Sequence, residues 1–213
     1  MTRHFSNDRP LTRFDIKKLI HGVALNDADY TVTKSKEVNG RSVKIWRCDY
    51  YYTWLNVLKR CFSKSFKEKN PAYESCTICN EWLLFSNFKS WMEKQDWVGN
   101  HIDKDLLSNG SKIYSPETCL FVSGKVNSFV KIANYKNSNL PIGVSIHKRS
   151  GMYRASIVMN KNQEHLGLFD SKEDAHEAWR VRKLELAIDL ANSEFVTDGR
   201  VKKALIARYQ AEK

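Results

Sequence analysis

From Ile142 to Asp170 the side chains alternate in character, one residue to the next, over three short runs. Ile142, Val144 and Ile146 point one way, and Ser145 and His147 the other. In the second run Tyr153, Ala155 and Ile157 alternate with Arg154 and Ser156; in the third, Leu166 and Leu168 alternate with Gln163 and His165. A period of two is that of a strand, so each run has an aliphatic face and a polar face. The breaks at Lys148-Arg149-Ser150-Gly151 and Asn160-Lys161-Asn162 are short, which predicts three antiparallel strands. Ser171 then has the chemistry of an N-cap, with Glu173 and Asp174 in the first turn of a long helix. Ala175, Trp179, Leu186 and Leu190 form one stripe on that helix, suited to cover the aliphatic face. The polar face is left bare. A twisted sheet can carry such a face into a major groove, where Arg149 and Arg154 suit guanine and Gln163 suits adenine. An ordinary wet outer face gives the same pattern.

Composition and pattern leave both readings open. The chain has 213 residues, a formal net charge of +11 and a pI near 9.4, an excess that suits a polyanion such as nucleic acid. Its apolar fraction of 42% is enough for a core, so a disordered chain is excluded. No apolar run is long enough to span a bilayer, and Met1-Thr2-Arg3-His4-Phe5-Ser6 lacks the apolar core of a signal peptide. The expectation is an intracellular (cytoplasmic) protein without a membrane partner, whose five cysteines are thiols or metal ligands.

Upstream, Phe14, Ile16, Leu19 and Ile20 suit a short helix. Residues 30 to 48 read as a hairpin turning at Asn39-Gly40, with one face packed and one wet. Residues 50 to 97 are rich in aromatics: Trp54, Val57, Leu58 and Cys61 share helical spacing, and Trp82, Phe85, Phe88 and Trp91 recur about every three positions. A helical core layer is the favoured reading over a base-stacking platform. Lys59, Arg60, Lys64, Lys67 and Lys69 lie beside these aromatics and suit phosphates. Cys76-Thr77-Ile78-Cys79 is half of a zinc site; Cys61 and Cys119 are candidates for the other half, and small buried thiols are the alternative.

The stretch from Asn100 to Asn127 predicts two short strands around Ser108-Asn109-Gly110-Ser111, then a polar helix. His101 and Asp103 fall on the first strand and Asn127 on the helix. This resembles the HNH, or ββα-metal, nuclease finger. The resemblance implies a His base beside a divalent metal, Mg or Mn. Two registers fit. In one, His101 is the base, with Asn100 and Asn127 on the metal and Asp103 or Asp105 as supplementary ligands. In the other, Asp103 is the metal ligand and Lys104 takes the His place, which removes the base. Thr118 stands at the middle Asn position in both.

A second resemblance rests on Gly143-Val144-Ser145-Ile146-His147-Lys148-Arg149-Ser150-Gly151-Met152-Tyr153-Arg154-Ala155, His165-Leu166-Gly167-Leu168-Phe169-Asp170 and Glu173-Asp174-Ala175-His176-Glu177-Ala178-Trp179. These look like the APETALA-type (ethylene-response-factor) DNA-binding domain, relatives of which occur in phage HNH homing endonucleases. The resemblance implies that Ser145, His147, Arg149, Arg154, Ser156 and His165 face DNA, with Lys148 and Gln163 beside them. Tyr51-Tyr52-Thr53-Trp54, Arg60-Cys61-Phe62-Ser63, Cys76 to Trp82, Ile102 to Asp105 and Tyr114 to Cys119 are similar to phage HNH-type endonucleases.

The expected fold is α+β: a degenerate ββα finger with aromatic-rich helices, then a three-stranded antiparallel sheet with one long helix. The expected organisation is an N-terminal hairpin region (1–49), an HNH-like domain (50–133), a linker (134–141), the APETALA-type domain (142–195) and a basic C-terminal helix (196–213). The expected activity is metal-dependent hydrolysis or nicking of duplex DNA. The alternatives are a catalytically inactive DNA-binding regulator or anti-defence factor, and a protein-binding inhibitor.

Overall fold

A computed structural model describes residues 18–107, 110–131, 139–159 and 162–210. Phe14, Ile16, Ser108, Asn109, Asn160, Lys161 and 134–138 of the expected linker lie outside them. The fold is mixed α+β and forms two compact units, Met1–Val122 and Ser123–Lys213. Among the described residues no helix is long and apolar enough to cross a membrane.

In the first unit, β1 (Thr33–Val38) and β2 (Arg41–Arg47) pair antiparallel around Asn39 and Gly40, whose φ of 51° and 71° suit an Asn-Gly hairpin turn. The expected packed face is not there: Lys34 to Trp46 are all exposed, because the core lies elsewhere. That core is aromatic. Helix α1 (Asp49–Phe62) buries Trp54, Val57, Leu58 and Cys61; α2 (Lys64–Lys69) follows it, and α3 (Phe85–Met92) adds Phe85, Phe88 and Met92. Trp82 is buried beside them, but in a separate 3₁₀ turn, Glu81–Leu83, since Leu84 is extended and interrupts the helix. Its carbonyl accepts a hydrogen bond from Trp54 Nε1 at 2.7 Å. Ring pairs such as Trp82 with Phe88, 5.0 Å apart and edge-on, each add about 1 kcal/mol beyond area burial.

Strand β3 (Thr77–Ile78) runs parallel to β5 (Ile113–Tyr114). Strand β4 (His101–Asp103) pairs antiparallel with β6 (Leu120–Val122), and α4 (Gly124–Val130) follows in the chain.

The second unit begins with α4, capped by Ser123, whose Oγ also donates to Phe195 O at 3.1 Å. Strands β7 (Val144–Ile146), β8 (Tyr153–Met159) and β9 (Asn162–Phe169) form the antiparallel sheet in the order β7-β8-β9. Helix α5 (Lys172–Ala191) lies on one face, with Ala175 packed against Val144 and Ala155. Ser171 Oγ accepts from Asp174 N at 3.0 Å and donates to its carboxylate at 2.7 Å. The buried stripe is Ala175, Lys183, Ala187 and Ala191; Leu186 and Leu190 are half-buried. Alanines let the helix lie close, and Gly143 shows how close: a Cβ there would sit 2.1 Å from Trp179 Cδ1. Helix α6 (Gly199–Ala207) completes the unit, with Val201 and Leu205 buried.

Strand β9 departs from simple alternation. The register shifts between Ala155 and Ser156, which pair with Gly167 and His165 and leave Leu166 as a bulge. Leu166 therefore turns to the core, while Leu168, 37% exposed and opposite Arg154, lies on the bare face. The two leucines do not share a face.

Candidate functional site

Two places bring the predicted residues together, one in each unit.

In the first unit a cavity of about 530 Å³ lies between α1 and the start of β4. Asp49, Tyr52, Thr53, Asn56 and Arg60 line it from α1; Trp97, Asn100 and His101 line it opposite. Positions 49, 53, 56 and 60 step by four, three and four, so these side chains form the polar stripe of a helix whose other face carries Trp54, Val57, Leu58 and Cys61. Sequence reading missed Asp49 and Asn56; that polar stripe was the available signal. His101 is exposed at the cavity, and the adjacent Asn100 uses its amide to donate to Asp96 O at 2.8 Å.

The residues further along β4 have local tasks. Asp103 Oδ1 accepts from the backbone N–H of Asp105 at 2.9 Å and of Leu106 at 2.8 Å, closing the turn after the strand. Burial nonetheless raises its pKa above the usual carboxylate value, against the pull of these N–H groups. Lys104 is 3% exposed, ion-paired with Asp105 and 5.7 Å from the centre of the Tyr114 ring. Thr118 Oγ1 donates to Ile113 O at 2.7 Å and accepts from Ser115 N at 3.1 Å, pinning the segment between β5 and β6.

Of the proposed metal donors, Asn100 and Asp103 lie beside and on β4, and Asn127, half-buried, lies on α4. Asn100 bonds the backbone through Nδ2, not through the oxygen that a cation would take, and Asp103 Oδ1 closes its turn. Among the described residues no group of three or more His, Cys, Asp or Glu is placed to hold a metal ion. Cys61, Cys76 and Cys119 are buried and Cys79 half-buried. Burial pushes the thiols of Cys61, Cys79 and Cys119 up to about 12.

In the second unit the bare face of the sheet is mainly polar, with Leu168 and Val158 exposed among the polar side chains. Cross-strand pairing aligns Ser145 with Arg154 and Leu168, then Ser156 with His165, then Val158 with Gln163. Arg154 Nε donates to Ser145 Oγ at 3.4 Å, and Gln163 Nε2 to Ser156 Oγ at 3.0 Å. These bonds hold the two longer side chains extended across the face. Lys148 and Arg149 are exposed in the β7–β8 turn, where His147 Nδ1 and Ser150 Oγ are 2.8 Å apart. Glu164 is opposite Ile157 on the other face and pairs with Arg182 of α5 at 3.0 Å, so no acid enters the cross-strand rows of the bare face.

No protein-family model, curated protein or solved structure matches the chain.

Proposed function

We propose that the chain is a duplex-DNA-binding protein of the phage HNH homing-endonuclease type, reading its site with the bare face of the β7-β8-β9 sheet. The observation that carries this reading is the alignment of Ser145, Arg154, Ser156, Gln163 and His165 on that face, opposite the one covered by α5. Arg and Gln are the side chains that make paired hydrogen bonds to guanine and adenine edges, and the row contains no acid to repel phosphate. The net charge of +11 supports the same partner.

A second reading adds phosphodiester hydrolysis at the cavity, and the position of His101 favours it. An exposed imidazole beside a cavity lined on one side by the polar stripe of α1 can take the proton of an attacking water, and Arg60 lines the same cavity while donating to Tyr114 Oη at 3.3 Å. The commitments of Asp103 and Lys104 favour binding without cutting.

Two assays with the full chain test these readings. Duplex affinity should fall steeply with salt. Supercoiled plasmid, incubated with Mg²⁺, Mn²⁺ or chelator, separates the second reading from the first: metal-dependent nicking abolished by His101→Ala establishes cleavage. Tight duplex binding with no nicking in any metal leaves a DNA-binding protein, and salt-insensitive or absent duplex binding defeats both.

A further inference from the structure

The β1–β2 hairpin buries nothing of its own, and its composition is unusual for a ribbon in water. Lys34 to Trp46 are all exposed, including Val38 at 45%, Val43 at 44%, Ile45 at 61% and Trp46 at 46%. A two-stranded ribbon without a covering layer is marginal in water; within it Lys34 Nζ lies 5.7 Å from the centre of the Trp46 ring. At its foot Val32 enters the core, Cys48 N donates to Val32 O at 2.9 Å, and the Arg47 guanidinium stacks 3.5 Å from the centre of the Tyr52 ring. Tyr52 also lines the cavity that holds His101. The ribbon is thus anchored beside that cavity and free along the rest of its length.

Its charge is one-sided in sign but not in direction. Lys34, Lys36, Arg41, Lys44 and Arg47 face a single acid, Glu37. Among the described residues no ion pair engages Lys34, Lys36, Arg41 or Lys44. The cross-strand register puts Lys34, Lys36 and Arg41 on one face with Val38, Val43 and Trp46, and Lys44 on the opposite face with Glu37 and with Arg47, which stacks on Tyr52. A flat anionic surface would satisfy only one of these faces. A groove satisfies both, because phosphates line its two walls, and a major groove about 12 Å wide admits a two-stranded ribbon. Pairing with a strand of another protein is opposed by the edge lysines and by the bulge at Lys34/Ser35.

We propose that the β1–β2 hairpin is a second duplex-contacting element, which enters a DNA groove and holds phosphates on both walls without reading sequence. The inference rests on the proposed duplex binding and adds an independent surface to it. The exposed apolar residues pack against sugars and base edges inside the groove, and the anchored foot keeps the bound backbone next to the cavity.

The test is duplex affinity against salt for the wild-type chain, for Lys36→Ala/Arg41→Ala/Lys44→Ala and for Arg154→Ala, each checked by thermal melting. Lys36→Gln/Lys44→Gln is the milder variant. The Asn39-Gly40 turn is retained throughout. The triple variant should lose affinity equally on preferred and random duplex, and its log-affinity against log-salt slope should be shallower by about 0.9 for each phosphate that the ribbon no longer neutralises. Arg154→Ala should lose affinity mainly on the preferred site. Unchanged slopes in both ribbon variants, with normal wild-type binding, overturn the ribbon proposal and leave the sheet reading intact. A wild-type chain that does not bind duplex overturns both. A concentration-dependent dimer broken by Ile45→Ser, with duplex binding unchanged, shows instead that the ribbon pairs two copies and overturns the proposal.

Discussion

Arg154 stands in the middle strand, between Ser145 and Leu168, and its Nε bond to Ser145 holds the guanidinium over the bare face. If that face reads bases, Arg154→Ala should cost about 1–3 kcal/mol on the preferred site and much less on random duplex. Competition binding with both duplexes measures it; equal losses would show that Arg154 contacts phosphate alone. Lys183 is a different kind of residue. It is 9% exposed, its Nζ donates to Phe129 O at 3.0 Å, and it lies 3.4 Å from the centre of the Phe129 ring. Burial first, and Arg208 second, push its pKa down to about 8 from the ordinary 10.5. Between these values the unfolded chain binds the extra proton, so the Lys183 contribution to stability is present above the ordinary value and is lost as pH falls through about 8. Lys183→Met removes this dependence. Melting curves of the two proteins should therefore differ most below pH about 8, with the variant the more stable, and converge as pH rises toward about 10. The buried thiols and tyrosines titrate in both proteins alike, so they cancel in that difference. Parallel curves would show that Lys183 keeps an ordinary pKa.

At the scale of the element, the contact of α5 with the sheet is set by small residues. Gly143 has φ +82° and Trp179 fills the place its Cβ would occupy; His176 stacks on Trp179 at 5.6 Å and its Nδ1–H donates to Ile142 O at 2.8 Å. Gly143→Ala therefore meets both backbone strain and a clash with an indole already held in place. We expect a loss of about 2–4 kcal/mol, measured by denaturant unfolding, with duplex binding recovered when the folded fraction is restored. A loss below about 0.5 kcal/mol would mean that Trp179 swings away freely. The strands and their helix were legible because alternation, turn residues and the Ser171 cap agreed over Ile142–Asp174. The bulge at Leu166 was not, because Gly167 at φ +140° can break a strand or continue it, and only pairing with β8 decides which. That choice sends Leu166 inward and Leu168 outward. The stripe of α5 was half legible for a similar reason: alanine is silent in a hydrophobic pattern, yet Ala175, Ala187 and Ala191 make the contact.

At the scale of the whole molecule, local chemistry in the sequence was enough for the α+β class, the Asn39-Gly40 turn, the aromatic core of the first unit and the three strands with their capped helix. Each rests on contacts between residues near in sequence or on a simple burial period. Tertiary structure decided what those elements face. It left the β1–β2 ribbon in water, since α1, α3 and Trp82 already fill the core. It gathered Asp49, Asn56, Arg60 and His101 around one cavity although His101 is far from the other three along the chain. Asp103 and Lys104, by contrast, take partners one to three residues away, in the turn after β4, where the motif offered Asp103 as a metal ligand and Lys104 in the His place without a base. The physical reason is common to the ribbon and the cavity. A periodic pattern specifies which side of an element is apolar, but the partner of a polar group depends on which distant backbone arrives beside it, and that is a property of the folded chain.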